Sequence, residues 1–217
     1  MPNLVLVIGN KAYSSWSLRP WLLMKHAGIA FDELCVSLYQ EGAKQRLLQY
    51  SAAGKVPVLK DGGLTIWDSL AICEYLAETH TDKQLWPADV AARAHARAIC
   101  AEMHSGFTNL RNQMPMNVRR EIPGRARTPE VVAEVTRIET IWNECRSRHG
   151  ARGPFLFGAF SIADAMYAPV ASRLRTYGVA LAGAAAQYAG AIHALPAMQE
   201  WIAGAHAETE VNPQYES

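Results

Sequence analysis

Four short stretches of this chain place polar or conformationally special residues where chemistry could be done. The first is Tyr13-Ser14-Ser15-Trp16-Ser17, between an apolar run and a helical pattern. A serine at such a junction meets the free N–H groups and partial positive charge of a helix start. That setting stabilises an anion such as a thiolate, and the hydroxyl can add a hydrogen bond; plain N-capping is the other reading. The second stretch is Val56-Pro57, where a proline opening a strand can be cis and offer the Val56 backbone to an extended peptide, or be an ordinary trans proline. The third, Asp68-Ser69, opens a helix. A carboxylate, a hydroxyl and free N–H groups there could hold both ends of an amino-acid head group, or simply cap. The fourth, Ser161-Ile162-Ala163-Asp164, is a capping box with Asp at its third position and Phe160 as a staple; it reads as structural, starting a buried helix.

These residues need elements to position them. Leu4 to Ile8 is a short β-branched run that suits a buried strand. Ser15 to Ala27 has helical spacing and a stop at Gly28. Phe31 to Leu38 reads as a second strand and Gln40 to Tyr50 as a polar helix. Val56 to Leu59 and Leu64 to Ile66 flank Asp61-Gly62-Gly63 as a hairpin, and a helix runs from Asp68 through Leu76. The expected order is β-α-β-α-β-β-α. After Thr79 the strand signals stop, and long helical patterns follow at about 90–113, 129–148, 162–177 and 195–205. Residues 115–128 read as a loop or a broken helix, and 180–191 are weakly patterned. The chain therefore divides into an α/β unit at 1–80, a linker at 81–88 and a helical unit at 89–217. On the first long helix, spacing puts His104, Phe107 and Arg111 on one face, either lining a pocket or as core packing with solvated arginines.

Composition removes several function classes. A length of 217 residues, half of them apolar, allows a full hydrophobic core. A formal net charge of +1 carries no footprint for nucleic acid or an anionic membrane. The opening run Asn3 to Ile8 is too short for a secretory signal, and a transmembrane helix needs roughly 20 apolar residues, so a cytoplasmic location is expected. Cys35, Cys73, Cys100 and Cys145 are widely spaced with no CxxC pair. They are expected to be reduced and buried rather than bridged or metal-bound.

The four stretches, in this order and at these intervals, resemble the cytosolic glutathione transferases over nearly the whole chain. Ser14-Ser15-Trp16-Ser17-Leu18-Arg19 is similar to the zeta-class motif, Ser-Ser-Cys followed by Ser-x-Arg; Lys55 to Leu59 resembles the family's cis-proline strand, Asp68-Ser69 its acidic-plus-serine pair, and Ser161 to Asp164 its capping box. The resemblance implies a glutathione transferase fold: a thioredoxin-like α/β N-terminal domain that binds glutathione, and an all-α C-terminal domain that supplies the second substrate's pocket. It implies an enzyme that uses glutathione as cosubstrate and no metal, attacks an electrophilic small molecule, and forms a homodimer. Ser14 is then the thiolate's hydrogen-bond donor and Ser15 its helper. Val56 pairs with the cysteinyl backbone beside Pro57 of the same glutathione-binding strand, Asp68 and Ser69 hold the γ-glutamyl end, and Lys44, Lys55 and Gln40 approach the glycine carboxylate. Tyr13, Trp16, His104, Phe107 and Arg111 fall in the second-substrate pocket, with Tyr13 also a rival thiol ligand because other classes use a tyrosine there.

Two departures bear on the reaction. Trp16 stands where zeta members carry cysteine, and their substrate-binding arginine falls at Thr176, with Arg173 and Arg175 expected on other helical faces. The alternatives are a glutathione-dependent cis-trans isomerase of the maleylacetoacetate type and a non-catalytic binding module of the same fold.

Overall fold

The structure is a computed structural model that describes residues 4–216. Asn3, with the first residues of the expected 1–80 unit, lies outside the described residues, as does Ser217. Strand β1 (Leu4–Ile8) buries Leu6, Val7 and Ile8 completely. Successive strand residues point to opposite faces, so burial of consecutive residues means that both faces of β1 are covered. β2 (Asp32–Cys35) pairs parallel with β1, β3 (Val58–Asp61) antiparallel with β1, and β4 (Leu64–Ile66) antiparallel with β3, giving the order β2-β1-β3-β4. With α1 (Ser15–Ala27), α2 (Ala43–Leu48) and α3 (Ser69–Thr79) this is the expected β-α-β-α-β-β-α succession. α1 stops at Gly28, whose φ of +67° suits the left-handed position of a helix C-cap. α2 is shorter than expected because Gly42, at φ +74°, leaves the right-handed helix and puts Gln40 outside it.

The helical half comprises α4 (Val90–Ser105), α5 (Thr108–Gln113), α6 (Pro129–His149), α7 (Ile162–Thr176), α8 (Gly183–Ala194) and α9 (Pro196–Ala207). The single helix expected over 90–113 is broken. Gly106 is extended and Phe107 takes φ +58°, so His104 and Arg111 belong to different helices and the three residues share no helical face. Arg111 closes the gap: its Nε donates to the Gly106 carbonyl at 2.9 Å and its Nη2 to that of Met103, acceptors that the interrupted helix leaves without an N–H partner. Glu134 of α6 caps α5 by accepting from the N–H groups of Asn109 (3.2 Å) and Leu110 (2.7 Å). The weakly patterned stretch after 180 contains α8, which buries Ala185, Tyr188, Ala189 and Ile192 at helical spacing.

α7 is the axis of the molecule, with every residue buried except Arg175. Its capping box forms as expected. Asp164 accepts from the Ser161 N–H (2.8 Å) and hydroxyl (3.0 Å) and from the Leu156 N–H (3.0 Å), while burial pushes its carboxyl up to about 6 against those bonds. One apolar core runs from Leu6 and Leu22 through Trp142 and Tyr167 to Trp201, across both halves. Arg19 of α1 donates from Nε to the Met166 carbonyl of α7 at 3.2 Å, and the Trp201 indole N–H donates to the Lys11 carbonyl at 2.9 Å. Cys73, Cys100 and Cys145 are buried as expected; Cys35 is not, because it lies on the edge strand β2, and all four thiols are free. Among the described residues, no helix is long and apolar enough to cross a membrane.

Candidate functional site

The turn between β1 and α1 brings the serine run to the junction of the two halves. Ser14 is the N-cap of α1. Its Oγ accepts from the Ser17 N–H (3.4 Å) and donates to Ser17 Oγ (2.8 Å), which in turn accepts the Gly9 N–H (3.1 Å). Ser15 Oγ accepts from Arg173 Nη2 at 3.2 Å, so its own proton is available to a ligand. Ser14 and Ser15 line a cavity of about 410 Å³ together with Tyr13, Arg111, Arg173 and Tyr215. A second cavity, about 480 Å³, is lined by Pro57, Trp67, Asp68, Ser69 and His104. The two meet at Trp16, Lys55 and Val56, which line both.

The Val56–Pro57 peptide is cis, the form considered from the sequence. Asp68 caps α3, accepting from the Leu70 N–H at 3.1 Å, and pairs across to His104 Nε2 of α4 at 3.0 Å. Ser69 is fully buried, lines the second cavity, and its Oγ has no partner. An unmet buried hydroxyl is costly, and here it faces a space that a polar ligand can enter.

Trp16 is the wall between the cavities. Its ring is within cation–π distance of the guanidiniums of Arg19 (4.2 Å) and Arg111 (4.6 Å), and the His104 ring meets it edge-on at 5.2 Å. Arg173 joins this group from α7, holding the Met114 carbonyl through Nε at 2.8 Å. Burial pushes Arg173 down to about 9, with Arg111 beside it adding to the effect. Arg19, completely buried, is pushed well below the usual arginine range by burial and then by Arg111 and Arg173. Nη1 and Nη2 of Arg19, Nη1 of Arg111 and Nη1 of Arg173 are buried without partners. Arg111 and Arg173 line the serine cavity and Arg19 lies against Trp16, and these like charges make a field that favours an anion.

Several expectations change. Phe107 lines neither cavity: the break after α4 turns it into the apolar core. Gln40 and Lys44 are exposed and line neither, leaving Lys55 as the lysine at the mouth. Tyr13 lines the serine cavity, but its hydroxyl donates to Glu216 (2.6 Å) and accepts from Asn212 N–H (3.1 Å) and Arg119, so it is not free to hold a thiol. Arg173, expected on another face than Thr176, reaches the site, whereas Thr176 bonds the Asn117 carbonyl at 2.9 Å. The available signal was its position one turn before Thr176, which puts it on the same helix face. Tyr215 was also missed, since nothing in its local sequence marks it; the tail carries it back against Tyr13.

Comparison with known proteins gives the family and the fold. The description "Glutathione S-transferase, N-terminal domain" matches residues 13–79, and "Glutathione S-transferase, C-terminal domain" matches residues 125–204. The chain belongs to the glutathione transferase family. It has that family's fold, with a thioredoxin-like four-stranded sheet followed by a helical domain. It is 43% identical over 98 residues to a probable maleylacetoacetate isomerase of Caenorhabditis elegans, covering 45% of each chain. It is 37% identical over 101 residues to the maleylacetoacetate isomerase of Rattus norvegicus, covering 45% of this chain and 46% of the relative. The chain spans about half the length of the curated relatives it matches. Among solved structures, the holo form of a maleyl pyruvate isomerase, described as a bacterial zeta-class glutathione transferase, superposes with a TM-score of 0.73 at 21% identity, covering 95% of this chain and all (100%) of that one. A glutathione transferase homolog from Burkholderia with bound glutathione gives 0.68 at 24% identity, covering 94% and 98%.

Proposed function

We propose that this protein is a glutathione-dependent enzyme that holds the glutathione thiol as a thiolate and presents it to an electrophilic small molecule. The observation that carries this reading is the shared wall of the two cavities. Val56 borders both, with the Ser14 and Ser15 hydroxyls on one side and Asp68 with the unpartnered Ser69 hydroxyl on the other. An extended tripeptide laid along Val56 would place its γ-glutamyl head at Asp68 and Ser69, its thiol at Ser14, and its glycine carboxylate near Lys55. Ser14 keeps the Ser17 N–H as a capped helix start while its proton turns to the thiolate; Ser15, fixed by Arg173, brings positive charge beside it. Lowering a thiol pKa from about 8.5 by two units takes roughly 2.7 kcal/mol, within reach of a charge-assisted hydrogen bond and a helix start. Cytoplasmic action as a homodimer follows from the family resemblance. A binding module without catalysis would need no cationic group behind the serines. The test is the ultraviolet difference spectrum of bound glutathione; if the thiol titrates as in free solution, the reading fails.

A specific observation favours a second reaction at the same site. Arg111 and Arg173 both line the serine cavity and both carry an unpartnered Nη1, which suits a carboxylate on the electrophile. With an acidic enone, the thiolate adds to carbon and the π electrons move to the carbonyl oxygen. The former double bond then rotates and the thiolate leaves, giving cis-trans isomerisation with glutathione regenerated. The curated relatives named maleylacetoacetate isomerases accord with this. Consumption or recovery of glutathione separates the two reactions, and unchanged turnover of anionic substrates in Arg111→Ala would remove the carboxylate-binding role.

A further inference from the structure

A third cavity, of about 280 Å³, shares no lining residue with the other two and lies between the end of α7, α9 and the segment after α5. Arg120, Arg175 and His206 are exposed at its margin, against one carboxylate, Glu121. Arg175 pairs with no carboxylate among the described residues, and Arg120 meets the partly exposed Glu216 at long range, Nε to Oε2 and Nη2 to the backbone carbonyl, both at 3.4 Å. Ser172 lies within the lining at 3% exposure, and its Oγ is buried without a partner. His193 presents Nε2 to the Ala171 carbonyl at 3.2 Å, so that nitrogen carries the proton and Nδ1 is left as a buried acceptor, also without a partner. Desolvation holds this ring in its neutral form, with Arg175 adding to the effect.

Two unmet buried polar atoms inside and a cationic margin outside define what a ligand must bring: an anionic group, and a hydroxyl on the same molecule. We propose that this cavity binds a small hydroxylated anion, with the anionic group on Arg120 and Arg175 and the hydroxyl between His193 Nδ1 and Ser172 Oγ. The volume lies just below the roughly 300 Å³ at which drug-sized ligand pockets begin, and suits a smaller molecule such as a hydroxycarboxylate or a phosphorylated polyol.

The two sources of that chemistry separate in one calorimetric experiment on the intact chain. Malate and glycerol 3-phosphate are titrated with and without saturating glutathione, and inorganic phosphate serves as an anion lacking a carbon-borne hydroxyl. At least one of the first two is expected to bind one-to-one in both states and more tightly than phosphate, and the tighter of the pair identifies the anion type. Arg175→Gln is expected to weaken that binding about tenfold or more and leave glutathione binding intact. Ligand-dependent shifts of the His193 ring resonances in the unmutated protein give a readout free of any folding defect. Absence of binding by both ligands, competition by glutathione, or indifference to Arg175→Gln would overturn the proposal.

Discussion

Ser14 does two things at one place: it caps α1 through the Ser17 N–H, and it lines the cavity where the proposed thiolate sits. Ser14→Ala is therefore expected to act twice. Loss of the cap should cost about 1 kcal/mol of stability, seen in chemical denaturation. Loss of the donor should raise the pKa of bound glutathione toward the free thiol and reduce thiolate absorbance at neutral pH about tenfold. Ser15→Ala should leave the cap intact and weaken the thiolate less, because Arg173 remains. The serines and the Asp68-Ser69 pair were legible in the sequence because a helix start demands such residues and their order is fixed by the chain. Arg173 was not, because its approach to Ser15 spans 158 positions and depends on how α7 packs against α1.

The break between α4 and α5 decides which side chains reach the site. It turns Phe107 inward, sends Arg111 back over Trp16, and leaves α5 dependent on Glu134 for its first N–H groups. Glu134→Ala is expected to cost about 1–3 kcal/mol and to loosen Arg111, lowering turnover of acidic substrates more than glutathione affinity. The Ser105-Gly106 pair hints at an interruption, but a glycine inside a helical pattern is tolerated often enough that spacing alone favours continuity. The capping box of α7 is local chemistry and was readable outright. Asp164 also makes a prediction about pH. Its folded-state pKa is raised to about 6, so the stability linked to its protonation is complete below the unfolded carboxylate range, near 4, and is lost as pH rises through 6. Denaturation midpoints of the wild type should therefore fall relative to those of Asp164→Asn between pH 4 and 7.

At the scale of the whole molecule, Arg19 joins the two halves, as Trp201 and Arg173 also do, while carrying a charge into their shared core. Its Nε holds the Met166 carbonyl and its two Nη atoms hold nothing. Arg19→Met removes an unpaired buried charge from a site that can hold apolar volume, so stability is expected to stay level or rise by about 1–2 kcal/mol. The same change removes positive potential behind Trp16, so the pKa of bound glutathione should rise. A thermal shift and a thiolate titration on one variant check both signs.

Helix starts, the hairpin turn and the β-α-β-α-β-β-α order could be read from sequence, because each depends on residues within a few positions of one another. The local sequence left Val56–Pro57 open between cis and trans, and only the family resemblance favoured cis. Which arginines surround the serines, which tyrosine is already engaged, and that Trp16 divides two cavities were decided only by tertiary structure. Those features arise where the apolar core forces α1, α4 and α7 to converge and where hydrogen bonds to Lys11, Ala12 and Tyr13 hold the tail against them. Hydrophobic burial is non-directional, so a hydrophobic pattern tells which faces go inside but not which polar neighbours meet there.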